Sequence, residues 1–168
     1  MTIFSSFENL AFFRGFSLKE PPQTPVLFRT RKDRRPRDLH VDLHQQADEW
    51  FKNKFGVPYR SQAVFVTSSR FVAENYAADK GFVARIIPIG NYRFCWSPKN
   101  SDLLFLQTSL GNLTVEDYLN GSNYQESDLL LAHQTAHEVM LYCDSYIAIP
   151  INLLENPERT EDRTLILL

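Results

Sequence analysis

The run from Val139 to Pro150 constrains the fold more than any other segment, because it is mostly apolar and strand-like. A single carboxylate residue, Glu138, opens this run. Two upstream segments, residues 26–29 and 64–69, have the composition of partner strands. We therefore expect an arginine at the end of one strand, a hydroxyl triplet at the end of a second and a glutamate at the start of a third to share one cleft.

Strand patterns and helix patterns alternate along the remaining sequence, which predicts an α+β fold. The length of 168 residues indicates one domain, taken as residues 1–168. The predicted elements are a helix over 39–55 between an Asp38 cap and a Gly56 stop, a strand over 61–67, a helix over 71–78, a hairpin of 82–89 and 92–96 around Gly90-Asn91, a helix starting at Thr114 and a short helix over 126–133. Residues 4–16 are interpreted as an amphipathic helix or a segment lying along the core, and the tail after Pro150 as a final strand or docked terminus.

Composition excludes several function classes. A net charge of −2 gives the chain no overall cationic field for nucleic acid or membranes. Cys95 and Cys143 both fall in strand-like runs, so we expect buried thiols in a reducing compartment. No apolar run has the length of a membrane span, and Glu8 and Arg14 interrupt any signal-peptide pattern. A cytoplasmic location, in its own cell or in a host cell, is therefore expected.

Glu138 and the triplet Thr67-Ser68-Ser69 have chemical roles that fit one site. A carboxylate at the start of a core strand can accept a hydrogen bond from a ribose hydroxyl and stabilise positive charge on a sugar carbon as a glycosidic bond lengthens. The hydroxyls can cap the following helix and also hydrogen-bond a neighbouring carboxylate. Together they suit an anionic dinucleotide whose glycosidic bond is broken.

Arg29 begins a basic stretch. Six cationic residues and one anionic residue lie within positions 29–37. Arg29, which is nearest to the strand, could form a forked contact with a diphosphate. The other cations could attract a polyanionic target, or the stretch could be a solvated loop.

These segments, in this order, resemble the ADP-ribosyltransferase superfamily, in its branch with an Arg, a Ser-Thr-Ser type triplet and a Glu. The segments that carry the resemblance are Phe28-Arg29, Phe65-Val66-Thr67-Ser68-Ser69, Phe71-Val72-Ala73-Glu74-Asn75-Tyr76-Ala77 and Glu138-Val139-Met140-Leu141. A threonine stands at the first hydroxyl position. The resemblance implies a split, strongly bent β-sandwich with flanking helices, which holds NAD in a central cleft.

The resemblance also implies roles for individual residues. Arg29, Ser69 and Glu138 would be the catalytic set, with Arg29 on the NAD phosphates or adjacent ribose and Glu138 stabilising the oxocarbenium-like state as nicotinamide leaves. The residues expected to contact NAD are Arg29, Thr30, Thr67, Ser68, Ser69, Phe71 and Tyr76. The aromatic that packs on nicotinamide would be one of Phe71, Tyr76, Tyr92 and Phe94. NAD would be the substrate, and no metal is expected.

The sequence departs from the family at Ala136, two residues before Glu138. Many relatives carry Glu or Gln at that position, where it selects or activates the acceptor. His137, or a residue of the preceding loop such as His133 or Gln134, is a candidate for the acceptor role. The acceptor side is therefore assigned to Ala136 and His137, with the acceptor itself left open.

The resulting hypothesis is an NAD-dependent mono-ADP-ribosyltransferase, toxin-like or part of phage conflict and antiviral defence. Its acceptor would be an intracellular macromolecule, with nucleic acid favoured slightly over protein because of the basic stretch. With this interpretation, an antitoxin or immunity protein is a further candidate partner. No membrane partner is expected. The alternatives are an NAD glycohydrolase, a non-enzymatic nucleotide- or partner-binding module, and a small basic-loop nucleic-acid-binding protein or nuclease.

Overall fold

The computed structural model describes residues 5–17, 20–77 and 81–155, which form an α+β fold as expected. Its strands are β1 (Phe13–Phe16), β2 (Val26–Arg29), β3 (Val64–Val66), β4 (Phe82–Trp96) and β5 (Val139–Pro150). Its helices are α1 (Val41–Phe55), α2 (Tyr59–Gln62), α3 (Arg70–Ala77), α4 (Phe105–Ser109), α5 (Val115–Gly121), α6 (Leu129–Thr135) and α7 (Ile151–Glu155).

The strands form one antiparallel sheet with β5 at its centre. One edge of β5 pairs with β4 over nearly its whole length. The other edge is divided, with β3 pairing residues 139–141 and β2 pairing residues 145–148. The expectation that the segments 26–29 and 64–66 flank the late strand is therefore confirmed.

The sheet is curved at the β3 end. β1 pairs with β4 on the edge away from β5. Phe13 and Thr67 nevertheless exchange two backbone hydrogen bonds of 2.7 and 2.9 Å, which link β1 to the end of β3. Since β1 and β3 lie at opposite ends of the series β1–β4–β5–β3, these bonds require the sheet to bend towards closure.

Apolar side chains cover both faces of β5 because successive residues of a strand point to opposite faces. Val139 and Leu141 pack into one buried cluster with Phe7, Phe12 and Trp96. Met140 packs into a second cluster, which holds the helices α1, α2, α4 and α5 against the sheet. The position just before the strand thus lies at the margin of two packed layers.

Several predicted elements need correction. α1 begins after His40, whose ring accepts from the Asp42 N–H, so Asp38 is not its cap. The left-handed stop at Gly56 is confirmed. The predicted hairpin at Gly90 is wrong: the two halves form one strand, β4, with an irregularity between Ile89 and Tyr92. Both halves continue beside β5, so the extra residues are accommodated as a bulge rather than as a reversal.

The remaining predictions have mixed outcomes. Residues 5–16 lie along the core and include β1, with Phe7 and Phe12 fully buried, so the helical alternative is wrong there. Part of the strand expected over 61–67 is helical, because residues 61 and 62 belong to α2. α7 follows Pro150 directly, and the end of the tail lies outside the described residues. Cys95 and Cys143 are free and buried, as expected.

No helix among residues 5–17, 20–77 and 81–155 is long and apolar enough to cross a membrane. Within the same ranges, no group of three or more His, Cys, Asp or Glu side chains is arranged to hold a metal ion.

Candidate functional site

Glu138 is fixed at the start of β5 by backbone contacts on both sides. Its N–H donates to the Ser101 carbonyl at 2.8 Å. Ala136, two residues earlier, has a left-handed conformation with φ 57°, and its carbonyl accepts from Thr67 Oγ1 at 2.9 Å. Ser68 Oγ donates to the His133 carbonyl at 2.5 Å. The hydroxyl residues after β3 therefore hold the turn that presents Glu138.

The Glu138 carboxylate forms an ion pair with Arg60, with 3.3 Å between Oε1 and Nη1. The two side chains are 17 and 5 % exposed, respectively. Asp48 of α1 places Arg60, because its Oδ1 accepts from the backbone N–H groups of Arg60 and Ser61 at 2.9 and 3.0 Å. The short helix α2 is thus anchored to α1 so that its arginine faces the start of β5.

Phe65 of β3 is the hub on which three arginines meet. The guanidinium carbons of Arg34 and Arg60 lie 3.6 and 4.4 Å from its ring centroid, distances at which cation–π attraction is effective. Arg14 Nη1 of β1 donates to the Phe65 carbonyl at 3.2 Å. We call Arg14, Arg34, Arg60, Phe65 and Glu138 the arginine–glutamate cluster.

This cluster has unused hydrogen-bonding capacity. Arg14 Nε, Arg34 Nη1 and Arg60 Nε are buried atoms that find no hydrogen-bond partner among the described residues. Burial, together with the charges of Arg14 and Arg60, lowers the pKa of Arg34 to about 9. Unpaired buried donors on crowded cations are costly, and an anion placed among them would relieve both costs.

Glu138 is held near its titration point at neutral pH. Burial raises the pKa of Glu138 to about 7, and the charge of Asp102 acts in the same direction. Arg60, Arg34 and a hydrogen bond from the Leu103 backbone lower the same pKa but do not offset the burial. Perturbed carboxylates of this kind are concentrated at functional sites.

The hydroxyl triplet is largely committed to local structure. Thr67 is buried, and its Oγ1 also accepts from the Ser69 N–H at 3.1 Å. Ser69 Oγ accepts from the Val72 N–H at 3.2 Å, which satisfies a free donor in the first turn of α3. The capping role considered from sequence is therefore present, and Thr67 and Ser68 additionally bridge to the turn before Glu138.

Arg29 and Thr30 lie further along β5. Arg29 is exposed and pairs in register with Ser145. A strand rises about 3.3 Å per residue, so the backbone of Ser145 is roughly 20 Å beyond that of Glu138. Thr30 is buried with its Oγ1 3.6 Å from Cys143 Sγ. The structure thus brings Thr67, Ser68 and Glu138 together, but it does not bring Arg29 and Thr30 to them.

The aromatic candidates divide into two pairs. Tyr92 and Phe94 pack edge-on against the ring of Phe7 in the core. Phe71 is 71 % exposed on α3, and Tyr76, 43 % exposed, donates its hydroxyl to Asp102 Oδ2. Only the second pair is available to a ligand.

The acceptor candidates lie in the turn before β5. His137 is half-buried, with Nδ1 2.8 Å from the Ser97 carbonyl, and the ring of His133 packs edge-on against Phe12. Gln134 is exposed. None of these contacts identifies His137, His133 or Gln134 as the residue that activates the acceptor, so the other residues around Glu138 must be considered.

Sequence reasoning did not single out Arg14, Arg34, Arg60 or Asp102 as site residues. Arg14 had a usable signal, since a lone cation inside the aromatic stretch Phe12-Phe13-Arg14-Gly15-Phe16 needs a buried partner. Arg34 carries no signal beyond its membership of the basic stretch. No local pattern marks the other two.

Two surface grooves, of about 320 and 520 Å³, lie beside α1. Their lining residues include Asp48, Glu49 and Trp50 but neither Glu138 nor the arginines of the cluster. Arg60 and Glu138 are already paired with each other, so a ligand that uses both charges would have to separate them.

No protein-family model, curated protein or solved structure matches this chain. The protein can therefore be classified only by its fold and its site. It has an α+β fold in which a carboxylate with a raised pKa lies beside arginines that have unpaired N–H groups.

Proposed function

We propose that this protein is an NAD-dependent mono-ADP-ribosyltransferase that uses the arginine–glutamate cluster as its active site. The observation that carries the proposal is Glu138 itself, a carboxylate with a pKa of about 7 beside three arginines that retain unpartnered buried N–H groups. The division of the β5 edge between β2 and β3, and the bend of the sheet, are compatible with a bent, split sandwich around a cleft.

The proposed chemistry divides the substrate between the two charges. The diphosphate of NAD takes the free N–H groups of Arg34 and Arg60, since forked guanidinium contacts suit phosphate oxygens. Arg60 then exchanges its contact with Glu138 for the ligand. The released carboxylate binds the ribose and stabilises the sugar cation as the bond to nicotinamide breaks and nicotinamide leaves with the bonding electron pair.

Only the ionised form of Glu138 can stabilise a developing cation. Because burial raises the pKa of Glu138 to about 7, a large fraction of the free protein is protonated at neutral pH. Nicotinamide release should therefore increase as pH rises through about 7, provided that no other group limits the rate.

The basic stretch supports a nucleic-acid acceptor. Arg34 turns inward onto Phe65, whereas Arg29, Arg35 and Arg37 are exposed. Exposed cations beside the site would attract a phosphate backbone without reading its sequence. Because Arg29 lies apart from Glu138, we assign it to this outer basic surface, formed by Arg29, Arg35 and Arg37, and not to the NAD diphosphate.

The test combines purified protein, NAD and cell lysate, with nicotinamide release and ADP-ribose on protein, RNA and DNA measured in parallel. Glu138→Gln should lower nicotinamide release on the order of 10²–10³-fold while leaving the fold and most NAD affinity intact. Glu126→Gln is a matched control on a carboxylate outside the cluster. NAD consumption with no labelled macromolecule would identify a glycohydrolase. No consumption by the wild type would favour a binding module and overturn the proposal.

A further inference from the structure

A second carboxylate, Asp102, borders the arginine–glutamate cluster. Its neighbours on both sides act on Glu138: the Ser101 carbonyl accepts the Glu138 N–H at 2.8 Å, and the Leu103 backbone N–H lowers the pKa of the Glu138 carboxylate. The loop that carries Asp102 thus wraps around Glu138, and the Asp102 charge acts on the Glu138 carboxylate. The two acidic side chains come from positions 36 residues apart in sequence, so no local pattern reveals the pair.

The two oxygens of Asp102 have different tasks. Oδ1 accepts from the Leu104 N–H at 2.8 Å, which is a local turn contact. Oδ2 accepts from the hydroxyl of Tyr76, an exposed side chain of α3. Asp102 itself is half-buried. A local turn needs only the first oxygen, so the second is free for another partner whenever Tyr76 moves.

The electrostatic setting of Asp102 is that of the cluster. Burial raises its pKa above the ordinary value, and the Leu104 N–H lowers it. The other charged or titratable groups that face it are Arg60, Arg34, Asp38, Glu138 and Tyr76. Asp102 and Glu138 are thus two carboxylates with perturbed pKa values beside the same arginines, and such groups are concentrated at functional sites.

An independent observation indicates that this region binds a ligand. Arg60 is 5 % exposed. Within the part of the chain that the structure describes, its Nε has no hydrogen-bond partner, and neither do the buried atoms Arg34 Nη1 and Arg14 Nε. A structural turn beside α4 would not require unsatisfied donors on three converging cations, whereas a site for an anionic substrate would.

We propose that Asp102 is the base that takes the proton from the acceptor, an inference that rests on the proposed function. Glu138 stabilises the sugar cation as the bond between ribose C1′ and the nicotinamide nitrogen breaks. The acceptor, a protic O–H or N–H nucleophile, then bonds to C1′ and transfers its proton to Asp102 Oδ2. Nicotinamide leaves neutral, so the transferred proton is the one that needs a base. Tyr76 holds Asp102 until the acceptor replaces its hydroxyl.

Asp102→Asn is the central variant, because an asparagine oxygen can still accept from the Leu104 N–H while the side chain can no longer take a proton. Transfer to the acceptor should fall by about 10²-fold or more, the range typical of a lost general base. NAD affinity, measured by calorimetry, should stay within about threefold of the wild type. The exposed Asp144, which pairs with Lys32 away from the cluster, is changed to Asn as the matched control and should retain wild-type transfer.

A pH profile separates this role from a structural one. The profile of transfer should lose the acidic limb that belongs to Asp102, while the limb set by Glu138 remains. Asp102→Ala with added formate is a second variant, in which the small carboxylate should restore part of the lost rate. If water is the acceptor, nicotinamide release itself should fall in Asp102→Asn.

Three outcomes overturn the assignment. Unchanged transfer in Asp102→Asn, alongside inactive Glu138→Gln, would make Asp102 a turn residue and leave the proposed function standing. A loss of transfer that follows lost NAD affinity or lost thermal stability, without formate rescue, would also reject a base. Unchanged nicotinamide release in Glu138→Gln would instead reject the function itself.

Discussion

Cationic side chains lie at both halves of the divided β5 edge, but they are buried at the β3 half and exposed at the β2 half. At the β3 half, Arg60 is 5 % exposed and meets a carboxylate that is itself largely buried. At the β2 half, Arg29 is exposed, and Lys32 pairs at 3.0 Å with Asp144, whose side chain is 91 % exposed. The contrast teaches that burial and the nature of the partner, rather than residue type, distinguish a site cation from a surface cation.

Phe65 explains why the cations turn inward at one half only. Its ring, in β3, offers a face to Arg34 and Arg60, and its carbonyl accepts from Arg14. At the β2 half the ion pairs are solvated, and such pairs contribute about 0–1 kcal/mol. A largely buried pair has a much larger cost of disruption, because the remaining charge is left unpaired.

Replacing one arginine in each half gives the largest expected difference. Arg60→Met leaves Glu138 without its partner, so at pH 8 the free energy of unfolding should fall by about 3–5 kcal/mol. Arg29→Met removes an exposed cation and should change it by less than about 0.5 kcal/mol. Urea unfolding of the two variants measures the difference.

The Arg60 loss should also be smaller at pH 5, where Glu138 is protonated and needs no counter-charge. Equal losses for the two variants would break the comparison, since they would place both arginines in one energetic class. An Arg60 loss that is identical at pH 5 and pH 8 would mean that its stacking on Phe65, rather than the ion pair, dominates.

The pH dependence of stability should separate the halves next. Burial raises the pKa of Glu138 from 4.5 to about 7 in the folded state, so the folded protein holds this proton more tightly than the unfolded chain does. The contribution to stability is therefore complete below pH 4.5 and is lost as pH rises through about 7. Its size is on the order of 3 kcal/mol, from the difference between the two pKa values.

Glu138→Gln should remove this dependence, because glutamine stays neutral. The wild type minus variant difference in unfolding free energy, measured between pH 5 and pH 8, should shift against the wild type as pH rises. The exposed Asp144→Asn provides the comparison from the β2 half and should show no such trend. A flat difference for Glu138→Gln would contradict the burial of this carboxylate.

Sequence reasoning found the strands of the divided edge because their apolar composition is local. Glu138 stands out in the sequence for the same reason, as the lone carboxylate at the head of such a run. Arg60 and Asp102 do not stand out, because their place beside Glu138 depends on how α2 docks on Asp48 and how the loop before α4 wraps the start of β5. Such docking is non-local and leaves no periodic trace.

The error at Gly90 has a related cause. A glycine–asparagine pair between apolar runs is a hairpin signal, and Gly90 does have a positive φ of 72°. β5 is long enough to pair with both flanking runs, so the same conformation forms a bulge in a continuous strand. The correct choice depends on the length of β5, which begins 49 residues after Gly90.

The bridge from β3 to the Glu138 turn should have an intermediate effect. Thr67→Val keeps the volume but leaves the Ala136 carbonyl without its hydroxyl donor, so we expect a loss of about 1–3 kcal/mol in unfolding free energy. Nicotinamide release should fall as well, because Ala136 sets the backbone that presents Glu138. Thr67→Ser retains the hydroxyl and should recover most of the activity. Equal activity in the two variants would show that the hydroxyl does not position Glu138.

The outer basic surface should have the smallest effect on stability and a separate effect on binding. Arg35 and Arg37 are exposed, so their joint replacement by Gln should change unfolding free energy by less than about 0.5 kcal/mol and leave nicotinamide release intact. If both contact phosphates of a single-stranded oligonucleotide, the slope of log affinity against log salt should become shallower by about 1.4. Lys52→Gln on α1 is the control for a general loss of charge.

An unchanged salt slope would mean that this surface does not bind nucleic acid. A drop in nicotinamide release would show instead that the basic stretch acts inside the site, and this result would remove the contrast between the two halves of β5, because an exposed cation would then have the same role as Arg34. An unchanged salt slope would leave that contrast intact and would favour a protein acceptor.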